Sequence, residues 1–99
     1  MEKQAKLFKE VKGVENIWSP QEADELIEGE FVRTEKGTYG DNYVLIAPSK
    51  EEWLIWGSVV INSRMKSVEL NSYVRITYLG NKKSSEGREY KDFKVEVAE

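Results

Sequence analysis

Residues 73–97, YVRITYLGNKKSSEGREYKDFKVEV, decide the fold that this sequence predicts. An apolar residue recurs at every second position near both ends of the stretch, first as Val74, Ile76 and Tyr78 and then as Phe93, Val95 and Val97. A period of two indicates a strand with one buried face. Residues 80–88 between them hold two glycines, two serines and three basic residues. We therefore predict two strands joined by a long polar loop, although hairpin loops usually have about 2–5 residues.

The bulk composition indicates one small folded domain and excludes several kinds of chemistry. The chain has 99 residues, of which 39% are hydrophobic and 33% charged. It contains neither cysteine nor histidine, which rules out disulfides, cysteine-ligated zinc and every catalytic arrangement built on histidine. No apolar run approaches the ~20 residues of a membrane helix, and no signal peptide is evident at the N-terminus. We expect a cytoplasmic protein, in the host cytoplasm if it is viral.

Charge is distributed unevenly along the chain, whose net charge is −3. Residues 1–30 hold four lysines and eight carboxylates, whereas residues 31–99 hold eleven basic and ten acidic residues. The total therefore does not describe any one surface. The acidic first third is a candidate region for contacts with protein partners.

Residues 1–24 are predicted to form an N-terminal extension that packs on the domain. Two interpretations of residues 1–14 stay open, namely a short helix ended by Gly13 and an extended arm that packs Phe8. Ser19-Pro20-Gln21-Glu22 has the residue types of a helix start, so a helix of about two turns is a further expectation. We expect Trp18 to close one end of a barrel.

Residues 25–99 contain the rest of the predicted fold. Strands are expected at 25–33, with a bulge or tight bend at Gly29, at 43–47 and at 52–56, separated by turns at 35–42 and 48–50. A short helix is predicted over 58–68, since Ile61, Met65 and Val68 recur at helical spacing. Five short antiparallel strands with a helix between the third and fourth are the connectivity of the all-β OB-fold barrel, which binds oligonucleotides on strands two and three and on the loops between strands one and two and strands four and five.

Three stretches also resemble a known family. DELIEGE (24–30), LIWGS (54–58) and YVRITYLG…GREYKDFKVEV (73–97) are similar to small phage-encoded OB-fold proteins that bind single-stranded DNA. The resemblance covers roughly residues 15–97 and implies a role in phage DNA replication or recombination. Many such proteins end in a strongly acidic tail that recruits partners, whereas this sequence ends Val-Ala-Glu soon after its last predicted strand.

Aromatic rings on the second and third predicted strands are candidates for stacking on bases. If Val44 and Ile46 face the core, Tyr43 faces outward. By the same alternation, Trp53 faces outward if Leu54 and Trp56 face the core. The opposite phase, with Trp56 on the ligand face, stays open. Tyr39, in the first predicted loop, is a further candidate.

Basic residues near the two loops are candidates for binding phosphates. Arg33 and Lys36 flank the first loop. The last loop is predicted to bring together a cluster made of Lys82, Lys83, Arg88 and Lys91, with Tyr90 beside it. Any single surface lysine is more often a solvated charge. A cluster on a glycine-containing loop is more informative.

Catalysis finds little support, so we expect no enzyme activity, no metal and no cofactor. Gly80-Asn81-Lys82-Lys83-Ser84 lacks the spacing of a phosphate-binding loop. No set of carboxylates has the spacing of metal ligands. The leading hypothesis is therefore an OB-fold domain that binds single-stranded DNA, with RNA and the oligomeric state left open. The alternative is an OB-like protein–protein interaction module of a replication or viral assembly.

Overall fold

The computed structural model describes residues 16–38 and 40–99, which form six strands and one helix. The first strand is β1 (Asn16–Trp18), and β2 (Leu26–Gly37) and β3 (Gly40–Ile46) then form a hairpin. Then follow β4 (Glu52–Ile55), helix α1 (Val59–Met65), β5 (Tyr73–Lys83) and β6 (Glu89–Val97). The prediction of a mostly β chain with one short helix is confirmed for these residues.

All six strands belong to one sheet in the order β1-β4-β3-β2-β5-β6. The long strand β2 lies at its centre, since its first half pairs with β5 and its second half with β3. Position 29 of β2 has no room for a side chain, because a Cβ at Gly29 would lie 2.5 Å from the Ile46 carbonyl oxygen. The irregularity predicted at Gly29 falls slightly later, between Phe31 and Arg33.

The sheet curls into a half-barrel whose two edges approach each other. Trp18 of β1 and Phe93 of β6 lie at opposite edges in the strand order, yet their ring centroids are 5.9 Å apart. Helix α1 packs against β6 on the same side, where Arg64 lies 3.9 Å from Asp92. Side chains and a helix thus bridge the two edges of the described sheet.

The start of the described chain differs from the prediction, because β1 adds a sixth strand. It runs parallel to β4, with Asn16 opposite Trp53 and Trp18 opposite Ile55. The helix expected from Ser19 onward is absent, and residues 22–24 form a bend and a turn instead. The Glu25 carboxylate accepts the N–H groups of Gln21 and Glu22 at 2.7 and 2.6 Å. These two bonds lower the pKa of Glu25 and hold a turn where an N-cap serine would have begun a helix.

Both predicted hairpin loops are shorter than expected, because their strands continue. β2 and β3 pair as far as Gly37 opposite Gly40, and β5 and β6 as far as Lys83 opposite Glu89. The sequence pattern predicts Gly80 in the loop, but this residue lies at a bulge of β5, with φ at +91°. Only residues 84–88 connect β5 to β6, closed by a 2.9 Å hydrogen bond from the Ser84 N–H to the Arg88 carbonyl.

The core lies inside the curl and includes the buried face of α1. Ser58 caps this helix by accepting the Ile61 N–H at 3.2 Å, and Ile61 and Met65 are buried as their spacing predicts. With them pack Ile27, Phe31, Tyr43, Leu45, Ile55, Val74, Ile76, Tyr78 and Phe93. No helix in the described part of the chain is long and apolar enough to span a membrane.

Candidate nucleic-acid interface

The two predicted stacking residues face the core, so the predicted phase of β3 and β4 is wrong. Tyr43 is only 7% exposed, and its hydroxyl donates to Asn62 Oδ1 at 2.8 Å. Burial raises its pKa, with the charge of Asp41 adding to the effect. Trp53 is opposite the buried Leu45 in the register and packs against the core cluster. Neither ring is offered to a ligand on the outer face.

Trp56 is the exposed ring in this region, although the favoured phase placed it in the core. It follows the last residue of β4 and is 59% exposed. Trp56 lines two clefts. The first, of about 210 Å³, is lined by Trp18, Ser19, Pro20, Ile55, Trp56, Gly57, Ser58, Ile61, Lys91 and Phe93. The second, of about 350 Å³, is lined by Thr38, Asn42, Trp56 and Gly57.

The two clefts place Trp56 between the β2–β3 and β5–β6 hairpins. Thr38 and Asn42 come from the first hairpin, and Lys91 and Phe93 come from the second. We call this region the Trp56 platform, meaning the exposed indole and the two clefts beside it. It offers an exposed aromatic ring beside two clefts.

Contacts to the Gly57 main chain fix the base of the Trp56 platform. The Gly57 N–H donates to Asn42 Oδ1 at 2.9 Å, which ties the end of β4 to the β2–β3 hairpin. A Cβ at position 57 would lie 1.9 Å from the Asp41 carbonyl oxygen. Only glycine therefore allows the two segments to approach so closely.

Arg33, a predicted phosphate ligand, is already occupied by two carboxylates. Its guanidinium donates to both oxygens of Glu52 at 3.0 Å and to Glu35 at 3.1–3.2 Å. These bonds, chiefly those to Glu52, raise the pKa of Arg33, and Arg33 in turn lowers the pKa of Glu52. The register places Arg33 beside Val44, so the ion pair crosses the outer face of β3 and covers a residue that is 0% exposed. Arg33 is thus a structural residue here.

The basic residues near the tip of the β5–β6 hairpin are not paired with described carboxylates in this way, unlike Arg75 and Lys94 nearer its base. Within residues 16–38 and 40–99, the cations that form salt bridges are Arg33, Arg64, Arg75 and Lys94. No carboxylate of those residues pairs with Lys36 or with the predicted cluster of Lys82, Lys83, Arg88 and Lys91. These side chains are exposed, and their charge is available to an anion.

The strand register divides that cluster between two faces of the hairpin. Lys91 lies on the same face as the buried Phe93, and Lys83 is opposite Glu89 on that face too. Lys91 therefore lines the first cleft, with its Nζ 6.0 Å from the centroid of the Tyr78 ring. Lys82 is opposite Tyr90 on the other face, so those two point away from the Trp56 platform. Arg88 lies in the turn.

Among the residues predicted for the site, the structure brings Lys91 to Trp56 and places Lys36 near the tip of the neighbouring hairpin. Tyr39 lies outside the described residues, as do residues 1–15 of the predicted extension. Sequence reasoning missed the roles of Trp18, Thr38 and Asn42. The favoured phase also missed Trp56, although one signal was present, because Trp56 directly precedes Gly57 and the N-cap Ser58, where a strand must already have ended.

Comparisons with known proteins provide no independent identification. No protein-family model, no curated protein and no solved structure matches this chain.

Proposed function

We propose that this domain is an OB-fold barrel that binds single-stranded DNA at the Trp56 platform. Strands β2, β3 and β4 supply the first three strands of the barrel, α1 follows them, and β5 and β6 supply the last two. An OB-fold binds oligonucleotides on its second and third strands and the adjacent hairpins. In this chain, that region contains Trp56 and its two clefts.

The observation that carries the proposal is an exposed tryptophan between two hairpins, beside a lysine that pairs with no carboxylate of the described residues. Unpaired bases stack on aromatic faces whatever their identity, and cations follow the phosphates. Trp56 supplies the ring and Lys91 lines the first cleft, whereas Lys83 and Lys36, near the tips of the two hairpins, are further candidates for phosphate contacts. Duplex DNA keeps its base faces stacked internally, so such a platform favours single strands. The setting implied by the resemblance is phage DNA replication or recombination, and RNA is a second possible ligand.

Net charge makes stacking the main source of affinity in this proposal. Residues 16–99 hold eleven basic and fifteen acidic side chains, so long-range attraction for a polyanion is weak. Three phosphate contacts would give a log–log salt slope of about −2, since each single-strand contact contributes about 0.7. Affinity should therefore fall only moderately with salt.

The test is a titration of labelled single- and double-stranded oligonucleotides at several salt concentrations. The proposal expects preferential binding of the single strand, a slope near −2 and quenching of tryptophan fluorescence. Equal affinity for the duplex, or a slope far steeper than −2, would contradict stacking as the dominant interaction. The same titration with an RNA oligonucleotide of equal sequence compares the two ligands.

A protein-interaction module is the second candidate, supported by exposed apolar side chains at the same place. Val59, three residues after Trp56, is 87% exposed. A partner segment could cover both side chains. In that case, oligonucleotides would leave the Trp56 fluorescence unchanged at every salt concentration, which separates the two candidates.

A further inference from the structure

Trp56 is held at a junction of three elements. The chain leaves β4 at Ile55, presents Trp56, and enters α1 at Ser58 within three residues. The β2–β3 hairpin lies directly against this short connection. The position of the indole consequently depends on how firmly the connection is attached to the hairpin.

One side chain makes that attachment to the main chain beside the indole. Gly57 N–H belongs to the peptide unit that begins with the Trp56 carbonyl, and it donates to Asn42 Oδ1 at 2.9 Å. A hydrogen bond to this amide restricts the ψ angle of Trp56 and so the direction in which its side chain leaves the backbone. The Asn42 side-chain amide packs closely against the main chain of Gly37, where a Cβ would lie 2.6 Å from Asn42 Nδ2. This contact restricts the movement of the amide.

A second hydrogen bond fastens the hairpin to the helix without using the Gly57 N–H, although its acceptor, Asn62 Oδ1, lies beside Gly57. Tyr43 hydroxyl donates to Asn62 Oδ1 at 2.8 Å, and the Asn62 N–H donates to the Ser58 carbonyl at the same distance. The junction therefore has two separate polar attachments. Of these two, only the hydrogen bond that Asn42 accepts is made by the peptide that follows Trp56.

We propose that Asn42 is a positioning residue for the Trp56 platform, whose side-chain carbonyl fixes the Trp56–Gly57 peptide and keeps the indole between the two clefts. The expected effect of Asn42 on DNA binding rests on the proposed function. The expected effect of Asn42 on the order of the indole in the free protein does not. A ring that is already ordered loses less conformational freedom when a base stacks on it.

The experiment compares the wild type with Asn42→Ala and with Tyr43→Phe. Asn42→Ala removes the acceptor at Gly57, and Tyr43→Phe removes the other attachment as a matched control of one hydrogen bond. In the free protein, hydrogen exchange of the Gly57 amide and ¹⁵N relaxation of the Trp56 indole are measured. We expect Asn42→Ala to accelerate Gly57 exchange about fivefold and to increase indole motion, because one hydrogen bond contributes roughly 1 kcal/mol and 1.4 kcal/mol is tenfold. Tyr43→Phe keeps the hydrogen bond from the Gly57 N–H to Asn42 and should therefore change both readouts much less than Asn42→Ala does.

Two further variants keep the test decisive. Asn42→Asp retains an acceptor oxygen and should restore Gly57 protection, which a merely structural role for the side chain does not require. If Asn42→Ala fails to fold, Asn42→Gln replaces it, since the extra methylene displaces the carbonyl but keeps the amide. Unchanged Gly57 exchange and unchanged indole motion in the folded variant would overturn the positioning role.

Binding of a thymidine oligonucleotide separates this inference from the proposed function. We expect Asn42→Ala to weaken single-strand affinity about fivefold to tenfold, in keeping with one lost hydrogen bond. If Trp56→Ala reduces affinity but Asn42→Ala changes neither affinity nor indole motion, the positioning role fails and the function stands. If Asn42→Ala loosens the indole while the wild type binds no oligonucleotide, the proposed function fails and the positioning of Trp56 stands.

Discussion

Replacement of Trp56 by alanine should reduce binding strongly and stability only slightly. With 59% of the residue exposed, about 100 Å² of a roughly 250 Å² side chain is buried, which at about 25 cal/mol per Å² sets an upper bound near 2.5 kcal/mol. Alanine still buries part of that area, so we expect a loss of about 1 kcal/mol in the free energy of unfolding. Loss of a stacking ring should cost about 1–3 kcal/mol of single-strand affinity, or roughly 5- to 150-fold.

Trp53→Ala is the informative contrast, because Trp53 lies in β4 only three residues before Trp56 but packs on the core. A buried aromatic replaced by alanine costs about 3–5 kcal/mol, and we expect the lower end for this partly buried ring. Its effect on binding should follow from the fraction of molecules that unfold. Trp53→Ala should thus cost more stability than Trp56→Ala, whereas Trp56→Ala should cost more affinity than Trp53→Ala.

Each variant is measured by denaturant melt and by fluorescence anisotropy of a labelled thymidine oligonucleotide. Tyr90→Ala serves as the matched control, since it removes a ring that is 40% exposed on the opposite face of the β5–β6 hairpin. Affinity should change little in that variant. If Trp56→Ala binds as tightly as the wild type while a folded Trp53→Ala loses binding, the assignment of the ligand face to Trp56 is refuted.

Three further predictions concern charge. Lys83→Gln should make the log–log salt slope shallower by about 0.7, whereas Lys82→Gln, an equal charge change on the opposite face, should leave it unaltered. Arg33→Gln should leave affinity nearly unchanged and lower stability by less than about 1 kcal/mol, because its half-exposed guanidinium is engaged by Glu52. The pKa of Glu52 is held below its usual 4.5 by Arg33, so the contribution of this pair to stability should be complete above that value and lost as pH falls through the lower pKa of the folded state. Denaturant melts over about three pH units, from pH 6 to pH 3, should show a smaller loss of unfolding free energy in Glu52→Gln than in the wild type.

Much of the fold follows from local patterns in the sequence. The alternation in residues 73–78 and 93–97 predicts β5 and β6, and Ser58 with Ile61 and Met65 predicts α1. What the patterns could not provide were the ends of the hairpins. Polar residues such as Lys82 and Lys83 are typical of loops, yet they form strands here because each pairs with a residue across the hairpin. The added strand β1 was missed because three residues are too few to show a period.

The site was harder to predict because β3 and β4 lack the alternation of apolar and polar residues that would show which side chains face the core. Tyr43, Val44 and Leu45 are all buried, since the core covers one face of β3 and the ion pair of Arg33 crosses the other. β4 is also nearly continuous in apolar residues. A strand covered on both faces has no polar positions from which its phase can be inferred.

The phase is instead set by the turn between β3 and β4, and so is the exposure of Trp56. The Ala47 N–H donates to the Glu51 carbonyl at 2.9 Å, and Lys50 has a φ of +76°, in the left-handed region. That turn fixes Leu45 opposite Trp53 and Tyr43 opposite Ile55. Glycine or asparagine at the left-handed position would have signalled the turn geometry, whereas lysine does not. A one-residue change in this connection would exchange the two faces of β4, so the turn determines which tryptophan is available to a ligand.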